Sequence, residues 1–515
     1  MISTAETKAA IQSPAPAARQ GFFAHFGADF SASLVVFLVA LPLSLGIALA
    51  SGAPAMAGLI AAIVGGIVIG FAGGAPLQVS GPAAGLTVIV AGLISQFGWE
   101  VTCAITVAAG LLQVALGIGR VAPLALGMSP AVIHGMLAAI GILIAVSQLH
   151  VVVGHEPGGK GLKAFTSLPG HIAHLNPATL LIGVLTFALL VAWPKLPWQR
   201  LRKVPPALAG VGLATLASLF IPGSIPRVNL GGSLLQSIHL PTLPGGDWGA
   251  VVTAVLTLCF VASAESLLCA VATDKLHSGP RANLNRELVG QGLGNTLSGL
   301  LGGLPVTGVI VRSSANISSG AKTRLSAILH GVWVLLFVFF LPGVITQVPL
   351  AALAGLLVYT GFRLVNVAHI KDLAHHGELA VYWVTVIAIV GTNLLAGLGI
   401  GFAVALFRLL WKLTHVDVHV DGKDQHWTVY VDGTLTFAGV PKLLTRLNAL
   451  PTGGTVDVDL NLRFIDHAGL EALDSWRSSY ERMGGTVNLE HLKDVWARSH
   501  GRKKAPQVAE APAGG

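Results

Sequence analysis

Long apolar runs separated by short polar connections dominate the chain up to Leu413. Runs of membrane length fall near 31–50, 55–73, 101–118, 130–149, 178–193, 205–221, 250–270, 326–341, 348–362, 379–395 and 398–413. Three shorter runs, near 82–95, 288–301 and 305–318, fit half-helices or Gly-rich buried helices. Together they predict fourteen spans. After Leu413 the pattern shifts to period two: His415 to Val420, Trp427 to Val431 and Thr455 to Leu460 read as strands. Gly433 to Leu450 and Ala468 to Arg482 have helical spacing, and Thr486 to Leu489 closes a βαβαβ pattern.

Two interruptions stand out. Gln78-Val79-Ser80-Gly81-Pro82-Ala83-Ala84-Gly85-Leu86 breaks one span, and Gly302-Gly303-Leu304-Pro305-Val306-Thr307-Gly308 followed by Val309 to Arg312 breaks another with the same Gly/Pro entry. Seven spans precede residue 230 and seven follow it. An odd number per half forces the halves to insert in opposite senses, so parity predicts an inverted repeat. The interrupted segment is third in each half, which makes Pro82 and Pro305 repeat-related and the expected starts of two facing half-helices. Paired interrupted segments point to a carrier's central site.

Composition narrows the class. Only 10% of the residues are charged and 63 are glycine, with a mean hydropathy of +0.74, which excludes a soluble enzyme. The net charge of +8 is not gathered into a nucleic-acid patch. With the N-terminus inside, the even-numbered connections carry twelve basic residues, from Arg120 through Lys195, Arg200, Arg202 and Lys203 to Arg363 and Lys371. The other side carries three, Lys160, Lys163 and Arg227, in accord with the positive-inside rule. The first residues lack a signal-peptide h-region. The expected organisation is a disordered cytoplasmic leader (1–24), a transmembrane domain (25–413), a cytoplasmic α/β domain (414–500) and a disordered tail (501–515), with both termini cytoplasmic.

Glu265 is the only carboxylate this reading places deep inside a span. A buried acid in lipid is costly and implies a proton carrier, a cation ligand or an ion-pair partner. Arg312 lies within the second interrupted segment. Two opposed half-helix N-termini with an Arg favour a small oxyanion and repel a cation. Other patterns carry less. Gly154 to Gly161 resembles a P-loop without its hydroxyl residue or its strand, and His150, His155, His171 and His174 have no carboxylate or Cys framework for a metal. Cys103, Cys259 and Cys269 fall in apolar segments, with no disulfide or metal site implied.

The stretches QVSGPAAGLTVIV and AESLLCAVATDKL…RANLNRELVGQGLGNTLSGLLGGLPVTGVIVRSSANISSGAKTRLSAILHG, with the terminal α/β domain, resemble the SulP (sulfate permease) anion transporters with a C-terminal STAS domain. The resemblance spans about residues 25 to 495. It implies a polytopic α-helical fold of 7+7 inverted repeats with core and gate domains, an elevator motion, a homodimer, no enzymatic activity and residence in a bacterial-type inner membrane. It carries the anion pocket onto Gln78, Ser80, Pro82, Ala83 and Ala84, and onto Thr307, Gly308, Val309 and Arg312. The coupling position falls on Glu265, with Cys269 one turn on. The spans LVALPLSLGIALASGAP and QVSGPAAGLTVIV also look like the bacterial branch associated with bicarbonate. Sodium-coupled members of that branch look to have Asp at Glu265 and Thr at Cys269, which here removes an oxygen ligand and places H+ ahead of Na+ as coupling ion. The function implied is secondary transport of bicarbonate or sulfate, with no cofactor. Alternatives are a chloride channel or exchanger, a dicarboxylate carrier and a sodium-coupled bicarbonate symporter. His467 and Ala468 stand where STAS phosphorylation switches carry hydroxyls, so a scaffold role is expected there, with any cytoplasmic partner unidentified.

Overall fold

The computed structural model describes residues 25–123, 129–158, 161–198, 204–238, 240–423 and 425–490. The expected leader and tail, together with Lys160, Arg200, Arg202 and Lys203, lie outside the described residues. The chain forms two compact units, Met1–Phe402 and Ala403–Gly515.

The first unit is helical. It comprises α1 (Phe26–Ala50), α2 (Ala55–Ala72), strand β1 (Ser80–Pro82), α3 (Ala84–Phe97), α4 (Trp99–Ile118), α5 (Pro130–Val152), α6 (Leu162–Ala173), α7 (Pro177–Ala192) and α8 (Pro206–Ser218). The second half adds α9 (Trp248–Asp274), α10 (Leu284–Leu300), strand β2 (Val306–Gly308), α11 (Ile310–Ser318), α12 (Leu325–Phe340), α13 (Pro342–Ile345), α14 (Leu350–Leu364), α15 (Val367–His375), α16 (Leu379–Gly391) and α17 (Leu394–Thr414), within which the boundary between the two units falls. Local chemistry sets many of the starts. Pro130, Pro177 and Pro206 occupy first-turn positions, where a missing N–H costs nothing. The side chains of Asn176, Asp247 and Asn283 accept first-turn N–H groups of α7, α9 and α10. Gly98, at φ +80°, makes the sharp break between α3 and α4.

Among the described residues seven helical segments are long and apolar enough to cross a membrane, the last of them α14 and α15 taken together (Leu350–His375), and α3, α8, α12 and α16 are shorter apolar helices. Two of the helices are short because the chain spends residues on strands. The sequence reading starts the half-helices at Pro82 and Pro305, but β1 and β2 intervene and the helices begin at Ala84 and Ile310. A residue before proline is driven toward extended backbone, and Val306-Thr307 is β-branched, so both prolines mark strands. The connections also hold three helices absent from that reading: α6, α13 and α15.

Some helix contacts come in the pairs that a twofold relation between the halves would require. If α1 to α5 and α7 to α8 correspond to α9 to α12, α14, α16 and α17, contacts come in twins. α1 packs on α12 as α9 packs on α4, α7 packs on α14 as α16 packs on α5, and α5 and α14 pack on each other.

The second unit contains β3 (Val416–Lys423), β4 (His426–Leu435), α18 (Val440–Leu447), β5 (Thr455–Ile465), α19 (His467–Arg482) and β6 (Thr486–Glu490). The sheet order is β3-β4-β5-β6. Its first pair is antiparallel and the others parallel, so the expected βαβαβ unit is preceded by an antiparallel strand. The helix expected over Gly433 to Leu450 is shorter, because β4 runs on to Leu435 past an irregularity at Gly433/Thr434. Alternate residues Val456, Val458, Leu460 and Leu462 of β5 join Leu443, Leu447 and Leu473 in one apolar core.

Candidate functional site

β1 and β2 cross antiparallel with Ser80 opposite Gly308, Gly81 opposite Thr307 and Pro82 opposite Val306. Each strand then feeds a short helix. Ser313 N to Val309 O is the first bond of α11, so the N–H groups of Ile310, Val311 and Arg312 lack intrahelical partners. On the other side Leu86 N donates to Ala83 O, which leaves Ala84 and Gly85 at the open start of α3.

A cavity of ≈ 1190 Å³ reaches both starts, lined by Ala83 to Gly85 and Val309 to Arg312, by Glu265 and by residues of α1 and α14. Arg312 is fully buried. Its Nη2 donates to Ser44 Oγ (3.0 Å) and Pro82 O (3.3 Å), while Nε and Nη1 have no hydrogen-bond partner. Among the described residues it forms no ion pair. Glu265 reaches the pocket from α9, with the Thr307 hydroxyl as a hydrogen-bonding neighbour and Oε2 unpartnered.

Three glycines form the sockets for these groups. A Cβ at Gly81 would stand 2.1 Å from Arg312 Nη1, one at Gly85 would stand 2.4 Å from Glu265 Oε1, and one at Gly308 would stand 2.3 Å from Gln78 Nε2. The small residues of both interrupted segments therefore admit long polar side chains as well as breaking helices.

Behind the strands lies a polar stripe on α10. Glu287, Gln291, Asn295 and Ser298 follow each other at one-turn spacing and all are buried. Each holds a piece of the crossing. Glu287 accepts from Gly74 N, Ala75 N and Gln78 Nε2. Gln291 Nε2 donates to Ser80 Oγ at 2.7 Å, Asn295 Oδ1 accepts from Val306 N at 2.6 Å, and Ser298 Oγ donates to Leu304 O at 2.6 Å.

The residues singled out from sequence thus divide. Ala83, Ala84, Val309 and Arg312 line the cavity with Glu265. Gln78 and Ser80 are engaged behind β1 by Glu287 and Gln291. Pro82, Thr307 and Gly308 form the paired strands, and Gly308 N donates to Ser266 Oγ at 3.2 Å. Cys269 Sγ lies 3.8 Å from both Thr273 Oγ1 and Ser313 Oγ.

Sequence reasoning missed Ser44, Gln291, Asn295 and two further buried carboxylates. Asp29 and Glu287 are less exposed than Glu265. Asp29 accepts from Lys322 N, Thr323 N and the Thr323 hydroxyl at the start of α12. The i, i+4, i+8 recurrence of Glu287, Gln291 and Asn295 was the available signal. His150, His155 and His171 do meet, but as stacked and edge-on rings, with the nitrogens of His150 taken by Val146 O and Ser167 Oγ. In the second unit Asp466 caps α19 through Gly469 N and also accepts from Phe437 N.

A helical bundle whose middle is crossed by two short strands, each opening into a half-helix, defines a class of polytopic membrane transporters. The chain belongs to the sulfate permease family, whose model matches residues 26–387. That family consists of transporters, not enzymes. The chain is 29% identical over 347 residues to the bicarbonate transporter BicA of Synechocystis, an alignment covering 65% of this chain and 60% of BicA. It is 27% identical to the putative sulfate transporter YvdB of Bacillus subtilis, over 74% of each chain. The chain thus spans less than two thirds of the length of BicA. Its fold matches the transmembrane domain of a cyanobacterial BicA with a TM-score of 0.65 at 26% identity, covering 74% of this chain and 98% of that one. It also matches SLC26A9 with a TM-score of 0.72 at 17% identity, covering 90% and 84%, a likeness of fold alone.

Proposed function

We propose that the protein is a secondary transporter of a small inorganic oxyanion, bicarbonate or sulfate, held between the starts of α3 and α11 beside Arg312. One observation carries this reading: a fully buried guanidinium with no ion pair among the described residues and two unpartnered nitrogens, at a cavity that two helix N-termini also reach. An unpaired buried cation is costly, and an oxyanion that accepts from one of these free N–H groups lowers that cost through a charge-assisted contact. The names of BicA and YvdB support the substrate class.

Glu265 lines the same cavity, so its carboxylate and the anion compete for one positive field. A proton on Glu265 favours the anion, which couples the two. Sodium is the weaker partner, because Cys269 offers sulfur where an oxygen ligand would be wanted.

The cavity reaches Pro194, Pro205 and Arg363, on the side of the basic connections, and we assign it to an inward-open state. A second cavity of ≈ 660 Å³, lined by Thr87, Gln148 and Asn393, lies toward the other side. An elevator motion of the half carrying β1 and β2 past α5 and α14 would exchange access between the two, in a bacterial-type inner membrane and as a homodimer.

The test is uptake of labelled bicarbonate, sulfate, chloride and fumarate into proteoliposomes, with and without sodium and a pH gradient, for the wild type and Arg312→Gln. Uptake of bicarbonate or sulfate that R312Q loses supports the reading. Equal uptake by both proteins, or uptake of chloride alone, overturns it.

A further inference from the structure

Glu287 presents a chemistry different from that of Glu265. Its Oε2 accepts from Gly74 N at 2.8 Å and Ala75 N at 2.9 Å, and its Oε1 accepts from Gln78 Nε2 at 2.7 Å and Gln291 Nε2 at 2.8 Å. All four partners are N–H donors and none accepts, so the group acts as a carboxylate with no use for a proton. It also orients both amides: their NH₂ groups must face it, and their oxygens are left turned away without partners. Through Gln291 it reaches Ser80.

The surroundings bring the chain to it. Arg324 Nη1 donates to Phe71 O and Gly73 O, and Arg286 Nε donates to Ala72 O, which together take the last carbonyls of α2. The next two N–H groups then belong to Glu287. Gly73 and Gly74 permit this approach, since a Cβ on Gly74 would stand 2.0 Å from Asn283 O and one on Gly73 would stand 2.9 Å from Glu287 Oε2.

We propose that Glu287 is the positioning residue for the β1 half of the anion site, a fixed charge that sets where β1 crosses β2 and hence where α3 begins, without carrying a proton itself. The proposal rests on the anion-site reading above. Glu287→Gln keeps the volume but leaves one acceptor oxygen and sets an NH₂ against N–H donors whichever way the amide turns. Misplacing β1 weakens the site, so KM for the transported anion is expected to rise on the order of tenfold, with the pH profile unchanged. The exchange Glu287→Gln with Gln291→Glu moves the carboxylate by one turn, still among Gln78, Ser80 and the new amide, and is expected to recover part of that loss. Gln291→Met leaves Glu287 its backbone partners and is expected to raise KM about threefold.

The experiment is proteoliposome uptake across a pH series for these three proteins, Glu265→Gln and Arg312→Gln, after size-exclusion and thermal-stability measurements. Raised KM in E287Q and Q291M, partial recovery in the exchange and an unmoved pH profile are expected. Wild-type KM in both E287Q and Q291M overturns the proposal, as does a pH profile displaced in the manner of Glu265→Gln. Failure of all three to fold makes Glu287 a folding residue and overturns it too. If Arg312→Gln transports normally, the anion-site reading fails instead; if only R312Q is impaired, that reading stands and this one falls.

Discussion

The two faces of the strand pair differ in one respect that decides their roles. Behind it, on α10, Glu287 has every oxygen engaged by N–H donors. In front of it, Glu265 and Arg312 keep unpartnered polar atoms at a cavity. Burial is shared by both faces, so burial alone does not mark function. A buried charge whose bonds are complete specifies structure, whereas one left incomplete beside an opening has capacity for a ligand.

The largest loss is expected at Arg312. Arg312→Gln is expected to lower anion uptake about 100-fold, and Arg312→Lys, which keeps the charge without the planar fork, about tenfold. Gly81→Ala is expected to approach R312Q in effect, since its Cβ claims the place of Nη1; normal uptake in that variant would dissociate the socket from its occupant.

Glu265→Gln is expected to act through pH. If protonation of Glu265 favours the anion, wild-type sulfate uptake rises as pH falls, and E265Q, neutral at every pH, loses that dependence. Gly85→Ala, which displaces the carboxylate, is expected to flatten the same profile in part. A pH response in E265Q identical to the wild type removes Glu265 from coupling.

Much of the front face was legible in the sequence because charge is conspicuous against apolar spans, which is how Glu265 and Arg312 were found. The back face was not. Glu287 sits at the edge of a span whose predicted start, 288, excluded it, and the low hydropathy of α10 blurred that boundary. The strand pair was hidden for another reason: three residues carry no periodicity, and Gly/Pro entries look alike before a strand and before a helix. The apolar runs were readable where length and composition suffice for them: among the described residues seven long and four shorter apolar helices fall on them.

Smaller effects are expected in the second unit, where none of the described charged residues is fully buried. Asp466→Ala removes the cap of α19 and is expected to cost about 1 kcal/mol locally, seen as faster hydrogen exchange in its first turn in the full-length protein. Asn488 and His426 hold the Asp457 carboxyl below its ordinary value. Its stabilising contribution is therefore present above the ordinary carboxylate range and lost as pH falls through the lowered value. Asn488→Ala is expected to reduce that acid-side loss slightly, which a pH series of hydrogen exchange in β5 and β6 would detect.

The most direct test is equilibrium binding of labelled bicarbonate and sulfate to purified full-length protein and to Arg312→Gln. The expected result is saturable binding of at least one anion to the wild type, weakened about 100-fold in R312Q. Binding of the same anion to both proteins with equal affinity would contradict a site built around Arg312.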